Sequence, residues 1–276
     1  MNKFKLILIP IFLLISSTSL YADQKLSPVK ATDMCMQHLS DKFNKYGHSY
    51  TTFMIADLAG RSENETLTLT YFSQYPDEDK QYDAIVNAFK NKIPFLGDEF
   101  SRDAVKKLHS LHGGGRSIID ARRKSLENAI AVNLKNQNDI WKAGLLIHAY
   151  ADTYAHTDGK YGAKDEKAFG PFAGHAFHSI LGKDPDKFTD KNNIPKYTAY
   201  VDHLFKLLKT SKAHEKAFLN YKNLIDNNDC KSDECFMKKA LPATDLKKIT
   251  MFKNCMDKNM RSLTQNEVQG VLDQIK

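Results

Sequence analysis

The chain has 276 residues, 42% of them hydrophobic and 26% charged, with 40 Lys and Arg against 33 Asp and Glu. That length supplies one large core or two small ones, and the positive excess is mild and scattered, which excludes a dense nucleic-acid-binding tract and leaves most lysines as solvated helix faces. Beyond the first apolar run no stretch has the length of a membrane span, so the expectation is one soluble, exported domain.

Residues 1–22 carry Lys3 and Lys5, then an apolar run over 6–15, then small residues up to Ala22. This is the pattern of a secretory signal peptide, and it places cleavage after Ala22 and a mature domain at 23–276. Removal of Lys3 and Lys5 leaves 38 basic against 33 acidic residues, a formal charge of +5. Cys35, Cys230, Cys235 and Cys255, bound for an oxidising compartment, permit two disulfides in any of three connectivities. The Cys230-x4-Cys235 pair is also compatible with zinc, but export and the scatter of the other two favour bridges.

Apolar residues recur at helical spacing over 29–43, 50–58 and 66–72, and no alternating strand is evident, so the fold class is all-α, a single multi-helix domain. Ser62 with Glu65 forms a capping-box pattern before Leu67 and Leu69, and Gly60 follows the preceding helix as a stop. Asp77, in Ser73-Gln74-Tyr75-Pro76-Asp77, is expected just past a helix, where a short carboxylate reaches a neighbouring cleft or simply makes a turn. Ser101 is expected to open a helix toward His112, which brings His109 and His112, three residues apart, onto one face.

The run Gly113-Gly114-Gly115-Arg116 invites comparison with a lipase oxyanion loop, but the chain lacks a Gly-x-Ser-x-Gly nucleophile turn. Its remaining readings are a helix linker or a phosphate contact through the glycine amides and Arg116.

Asn138 or Asp139 opens a long helix in which His148, Asp152 and His156 sit at four-residue steps among Leu145, Leu146, Ile147, Ala149 and Ala151. Four residues advance a helix face by about 40° and rise about 6 Å, so all three emerge along one stripe inside an apolar surround, where unpaired polar groups are costly. Metal ligation or hydrogen bonds across a helix interface would satisfy them, and the sparseness of histidine on apolar faces favours metal. Asp152 is placed to bridge one ion shared with His148 and a second shared with His156, an arrangement that activates water for phosphoester cleavage. His175 and His178 repeat the three-residue spacing in a second short helix, and Gly182 ends it. Residues 183–195 are rich in Asp, Lys, Asn and Pro and are expected to form a surface loop. The amphipathic helices of 197–276, with only His203 and His214 as further ligand types, are expected to pack against or cover the rest.

The motif His148-x3-Asp152, preceded by the His109 and His112 region and followed by His175, resembles the zinc-dependent phospholipase C and P1 nuclease superfamily over roughly residues 46–186. The likeness is closest to an uncharacterised exported bacterial branch, through His48-Ser49-Tyr50-Thr51, Leu58-Ala59-Gly60, Ser73-Gln74-Tyr75-Pro76-Asp77, Ala151-Asp152-Thr153-Tyr154-Ala155-His156, Gly174-His175-Ala176 and Asp184-Pro185-Asp186. It implies an all-helical fold holding two or three Zn2+ ions. His148 and Asp152 are then ligands, His156 and His175 serve another ion, His48 is the early histidine ligand, and His109 supplies a further one with His112 as its substitute. Asp77 matches the acidic residue that orients or deprotonates the attacking water.

The chain departs from the founding members in three ways. Its only tryptophan is Trp141 rather than an amino-terminal one; Ser179 stands four residues after His175, where the family has glutamate; and the step from Asp152 to His156 is shorter. The implied function is an exported zinc-dependent phosphodiester hydrolase of the phospholipase C kind. Its implied substrate is a phospholipid or another phosphodiester, with peripheral membrane contact and no stable nucleic-acid or protein partner. Its rivals are a single-strand nuclease or phosphatase of the same fold and a noncatalytic, metal-stabilised exported binding protein.

Overall fold

A computed structural model describes residues 25–37, 48–171 and 187–276. The 1–22 segment, His175, His178 and Gly182 lie outside the described residues. Twelve α-helices and one two-stranded sheet make up the described fold. The domain is all-α apart from β1 (Thr157–Asp158) and β2 (Lys167–Ala168), two residues each and antiparallel. No described helix is long and apolar enough to cross a membrane.

The centre is built by α2 (His48–Leu58), α3 (Glu63–Glu78) and α7 (Ile140–Ala155), with α6 (Arg116–Asn133) against the far side of α7. α7 is buried on nearly every face, as a helix that is apolar all round must be. It approaches α3 so closely that a Cβ on Gly144 would lie 2.6 Å from the Cβ of Phe72, which explains a glycine inside a helix. α3 opens with the anticipated capping box, Glu65 N donating to Ser62 Oγ at 3.3 Å and Ser62 N to Glu65 Oε2 at 3.1 Å.

Two boundaries differ from the sequence reading. α3 continues through Pro76 to Glu78, so Asp77 lies in its last turn and not beyond it; packing of Tyr71, Phe72 and Tyr75 into the core outweighs the bond that proline cannot donate. α5 (Glu99–Asp103) is capped by Asp98, with Ser101 inside it, because the Asp98 carboxylate accepts from Ser101 N at 2.7 Å. The chain then widens into a π-helical turn over Ala104–Leu108 that ends before His109.

Between these elements, α4 (Ala84–Lys92) covers a satellite cluster of Val105, Leu111 and Phe169. At the ends, α8 (Ile194–Leu208) packs on α2 and α7, while α9 (Glu215–Asp226), α10 (Asp233–Ala240), α11 (Ala243–Asn259) and α12 (Gln265–Leu272) complete the shell. Cys35 of α1 (Pro28–Gln37) bridges to Cys255 of α11, and Cys230 bridges to Cys235. This resolves the three possible connectivities and removes the thiolate alternative, and the bridges fit an oxidising compartment.

Candidate metal centre

Five side chains from four segments meet in the centre of the fold. His48 is the first residue of α2, Asp77 sits in the last turn of α3, His109 follows the π-helical turn, and His148 and Asp152 lie one turn apart on α7. His148 and Asp152 are 0% and 2% exposed, and Asp77 reaches in from the rim with 39% of its side chain exposed. Asp152 lies 3.3 Å from His48 Nε2, 3.4 Å from His148 Nε2 and 3.5 Å from His109 Nδ1. Asp77 lies 3.7 Å from His148 Nε2 and 3.8 Å from both His109 Nδ1 and His48 Nε2. His148 Nε2 and His109 Nδ1 are 3.1 Å apart.

The backbone fixes which ring nitrogen faces inward. A carbonyl only accepts, so the nitrogen against it bears the proton. His148 Nδ1 donates to Ser73 O at 2.9 Å, and His109 Nε2 donates to Tyr82 O at 2.8 Å. In a neutral ring the inward nitrogen is then an unprotonated donor. Burial keeps His148 neutral, lowering its pKa to about 4 against the pull of Asp152 and Asp77. Burial alone would raise the Asp152 carboxyl, but His156, His148, His109 and His48 outweigh it and hold it well below the usual carboxylate range.

Asp152 Oδ2 is buried with no hydrogen-bond partner. Several electron pairs thus aim at one point. A proton serves one pair of them, whereas a cation serves all at once. The three distances from Asp152 to His48, His148 and His109, 3.3–3.5 Å, match the roughly 3.3–3.6 Å edges of a tetrahedron whose centre lies 2.0–2.2 Å from nitrogen and oxygen donors. Two overlapping triads meet the geometric requirement for an ion, His48–Asp77–His148 and His109–His148–Asp152.

Other expected residues fall elsewhere. His156 caps α7, and its Nδ1, 3.7 Å from Asp152, donates to His109 O at 2.8 Å, so it braces the His109 loop. The described donors form two triads that share His148, and His48 approaches the Asp152 oxygen opposite the one that His109, His148 and His156 face. His175 lies outside the described residues. His112 turns away, its Nδ1 2.6 Å from Gly113 O, and joins neither triad.

Arg116 is held by carboxylates, 2.7 Å from both Glu166 and Asp120, and is not among the described residues around the cleft. The glycine run beside it pairs with β2 and the residue after it, Gly113 N donating to Phe169 O and Ala168 N to Gly114 O, both at 2.8 Å. This leaves the run as a structural linker. His203 lies 3.1 Å from the Tyr154 hydroxyl, away from the triads, and His214 stands at the start of α9.

A cleft of about 430 Å³ opens over the centre and exposes His48, Asp77, His109 and Asp152 on its floor. Its walls include Ile85 of α4, Tyr154 of α7, and Phe188, Lys196, Tyr197 and Tyr200 in and before α8. Lys196 is 6% exposed and donates to Thr157 O at 2.6 Å, which brings a cation to the wall. No feature of the sequence marks Lys196, one of many lysines, nor the carbonyls of Ser73 and Tyr82; only the α8 packing and the turns reveal them. No family model, no curated protein and no solved structure matches this chain.

Proposed function

We propose that this protein is an exported, zinc-dependent hydrolase of phosphoesters, acting on a phosphodiester of the phospholipid kind. One observation carries the reading: two histidines are locked by backbone carbonyls with their second nitrogens turned on a buried carboxylate oxygen that accepts no hydrogen bond. Such outer hydrogen bonds fix tautomer and orientation in metal-ligating histidines. Imidazole and carboxylate donors at tetrahedral spacing suit zinc. The likeness of the His148-x3-Asp152 region to zinc-dependent phospholipases supports the substrate class.

His48, His109, His148 and Asp152 would hold the ion. A divalent ion there supplies Lewis acidity, lowering the pKa of a water and offsetting charge on a phosphoester oxygen. Asp77, half in solvent at the mouth, accepts the proton at a carboxylate oxygen. Tyr154, Tyr197 and Tyr200 form a wall that excludes bulk water.

A second reading, a noncatalytic ion-stabilised protein, draws on the number of donors: with Asp77 included, the five residues offer more ligand atoms than a closed four-coordinate ion needs, which would leave no position for water. The two part on one experiment. Mature protein loaded with zinc is analysed for ion per chain and assayed on a choline phosphodiester and on single-stranded DNA, with and without chelator. The hydrolase reading expects chelator-sensitive turnover of the choline ester, and Asp77→Asn should retain the ion but lose most of the rate. Bound zinc with no turnover of either substrate overturns it in favour of the second reading, and preferential cleavage of DNA reassigns the substrate.

A further inference from the structure

Among the described residues, seven large hydrophobic side chains are strongly exposed, and four of them, Ile85, Phe89, Phe95 and Leu96, fall within twelve residues on and just after α4. That helix is inverted relative to ordinary amphipathic packing. Ala84 and Ala88 face the cluster of Val105, Leu111 and Phe169, while Ile85 and Phe89, one turn apart, face outward at 71% and 64% exposure.

Just past the helix, Ile93 to Leu96 form a turn closed by Leu96 N donating to Ile93 O at 3.2 Å. Pro94 occupies its second position and Phe95 its third, with φ of 69°, where the turn calls for glycine. Phe95 is 105% exposed. The fold thus holds a phenylalanine in the left-handed region and entirely in water. Both features oppose stability, and no intramolecular contact compensates them.

We infer that the α4 face with the Phe95 turn inserts into the surface of a phospholipid bilayer, so that the cleft takes its substrate from the membrane. The inference rests on the phosphoester reading for what the cleft then does, but the docking itself does not. Three observations select lipid. A side chain that protrudes without neighbours has no shaped complement to offer a folded partner, whereas a fluid acyl phase accepts it as it stands. Lys90 and Lys92, in the last turn of α4, flank the apolar side chains and bring ammonium groups to the edge of the face, where phosphate headgroups would lie. Ile85 belongs both to this face and to the cleft wall, which makes the apolar path continuous from the tip to the floor.

The test uses the mature protein and vesicles of phosphatidylcholine with and without an anionic phospholipid. Vesicle binding should be stronger with the anionic lipid and fall about tenfold in each of Phe95→Gly and Phe89→Ser, with zinc content unchanged. Phe95→Gly relieves the turn, so its loss of binding would not reflect unfolding. Absence of vesicle binding by the parent protein, or equal binding by the variants, overturns the docking. So does a parent that dimerises without binding vesicles and becomes monomeric in Phe95→Gly, which would give the face to a second copy. Vesicle binding without hydrolysis of any phosphodiester sinks the catalytic reading alone; turnover of a soluble ester without vesicle binding sinks the docking alone.

Discussion

α7 and α4 break the same rule in opposite directions. α7 carries His148 and Asp152 into the apolar centre, 0% and 2% exposed, whereas α4 turns Ile85 and Phe89 into water at 71% and 64%, buries Asn87 and packs partly buried alanines inward. Each departure has an energetic cost that folding alone does not recover. The two helices meet at one cleft, on whose floor Asp152 lies and in whose wall Ile85 stands. On the proposed readings, misplaced polarity marks where a ligand would complete the molecule: a cation for the buried acceptors, an apolar phase for the exposed hydrophobics.

Replacing Asp152 by Ala removes the buried carboxylate of that floor and should break the α7 half of the comparison most severely. Zinc affinity should fall by more than about 100-fold, the scale for losing merely an outer hydrogen-bond partner of a ligand. Full zinc occupancy by elemental analysis in Asp152→Ala would mean that the polar stripe on α7 is structural.

Acid should act on the same half. His148 is held neutral, with its pKa lowered to about 4 from 6.5, so the unfolded chain takes up a proton that the folded one refuses. The metal-free protein is therefore unaffected by this group above pH 6.5 and loses stability as pH falls from there toward 4, by about 3 kcal/mol at most. Urea midpoints across that window should flatten in His148→Asn.

Gly144→Ala sharpens the account of how α7 is seated. Alanine is the better helix former, yet its Cβ meets Phe72 at 2.6 Å, so net destabilisation of about 1–3 kcal/mol is expected in urea unfolding. The smallest effect runs the other way on the α4 side. Phe95→Gly removes an exposed apolar residue from a left-handed position and should stabilise the metal-free protein by about 1 kcal/mol, read as a higher urea midpoint. A loss of stability instead would give Phe95 a folding role and end the symmetry between the two helices.

Much of the α7 half was legible in the chain. The four-residue steps of His148, Asp152 and His156 set against Leu145, Leu146 and Ile147 mark one polar stripe in an apolar helix, and three-dimensional packing buries all three. Spacing alone did not say which neighbour of Asp152 would share its ion. That depends on the proton on each ring, and the carbonyls of Ser73, Tyr82 and His109 place those protons from other segments. Arg116 illustrates the same limit: beside three glycines it reads as an anion contact, but Glu166, fifty residues on, folds back and neutralises it.

The sequence by itself determined an all-helical domain, the capping box at Ser62, the buried stripe on α7 and the capacity for two disulfides, because these follow from periodicity and residue chemistry over short spans. The tertiary structure alone decided that His48, Asp77 and His109 join that stripe from three other segments, that Cys35 pairs with Cys255, that Lys196 reaches the cleft, and that α4 wears its apolar face outward. Those outcomes depend on which chain segments cross in space and on the direction in which each turn aims a side chain, and neither is encoded in local spacing.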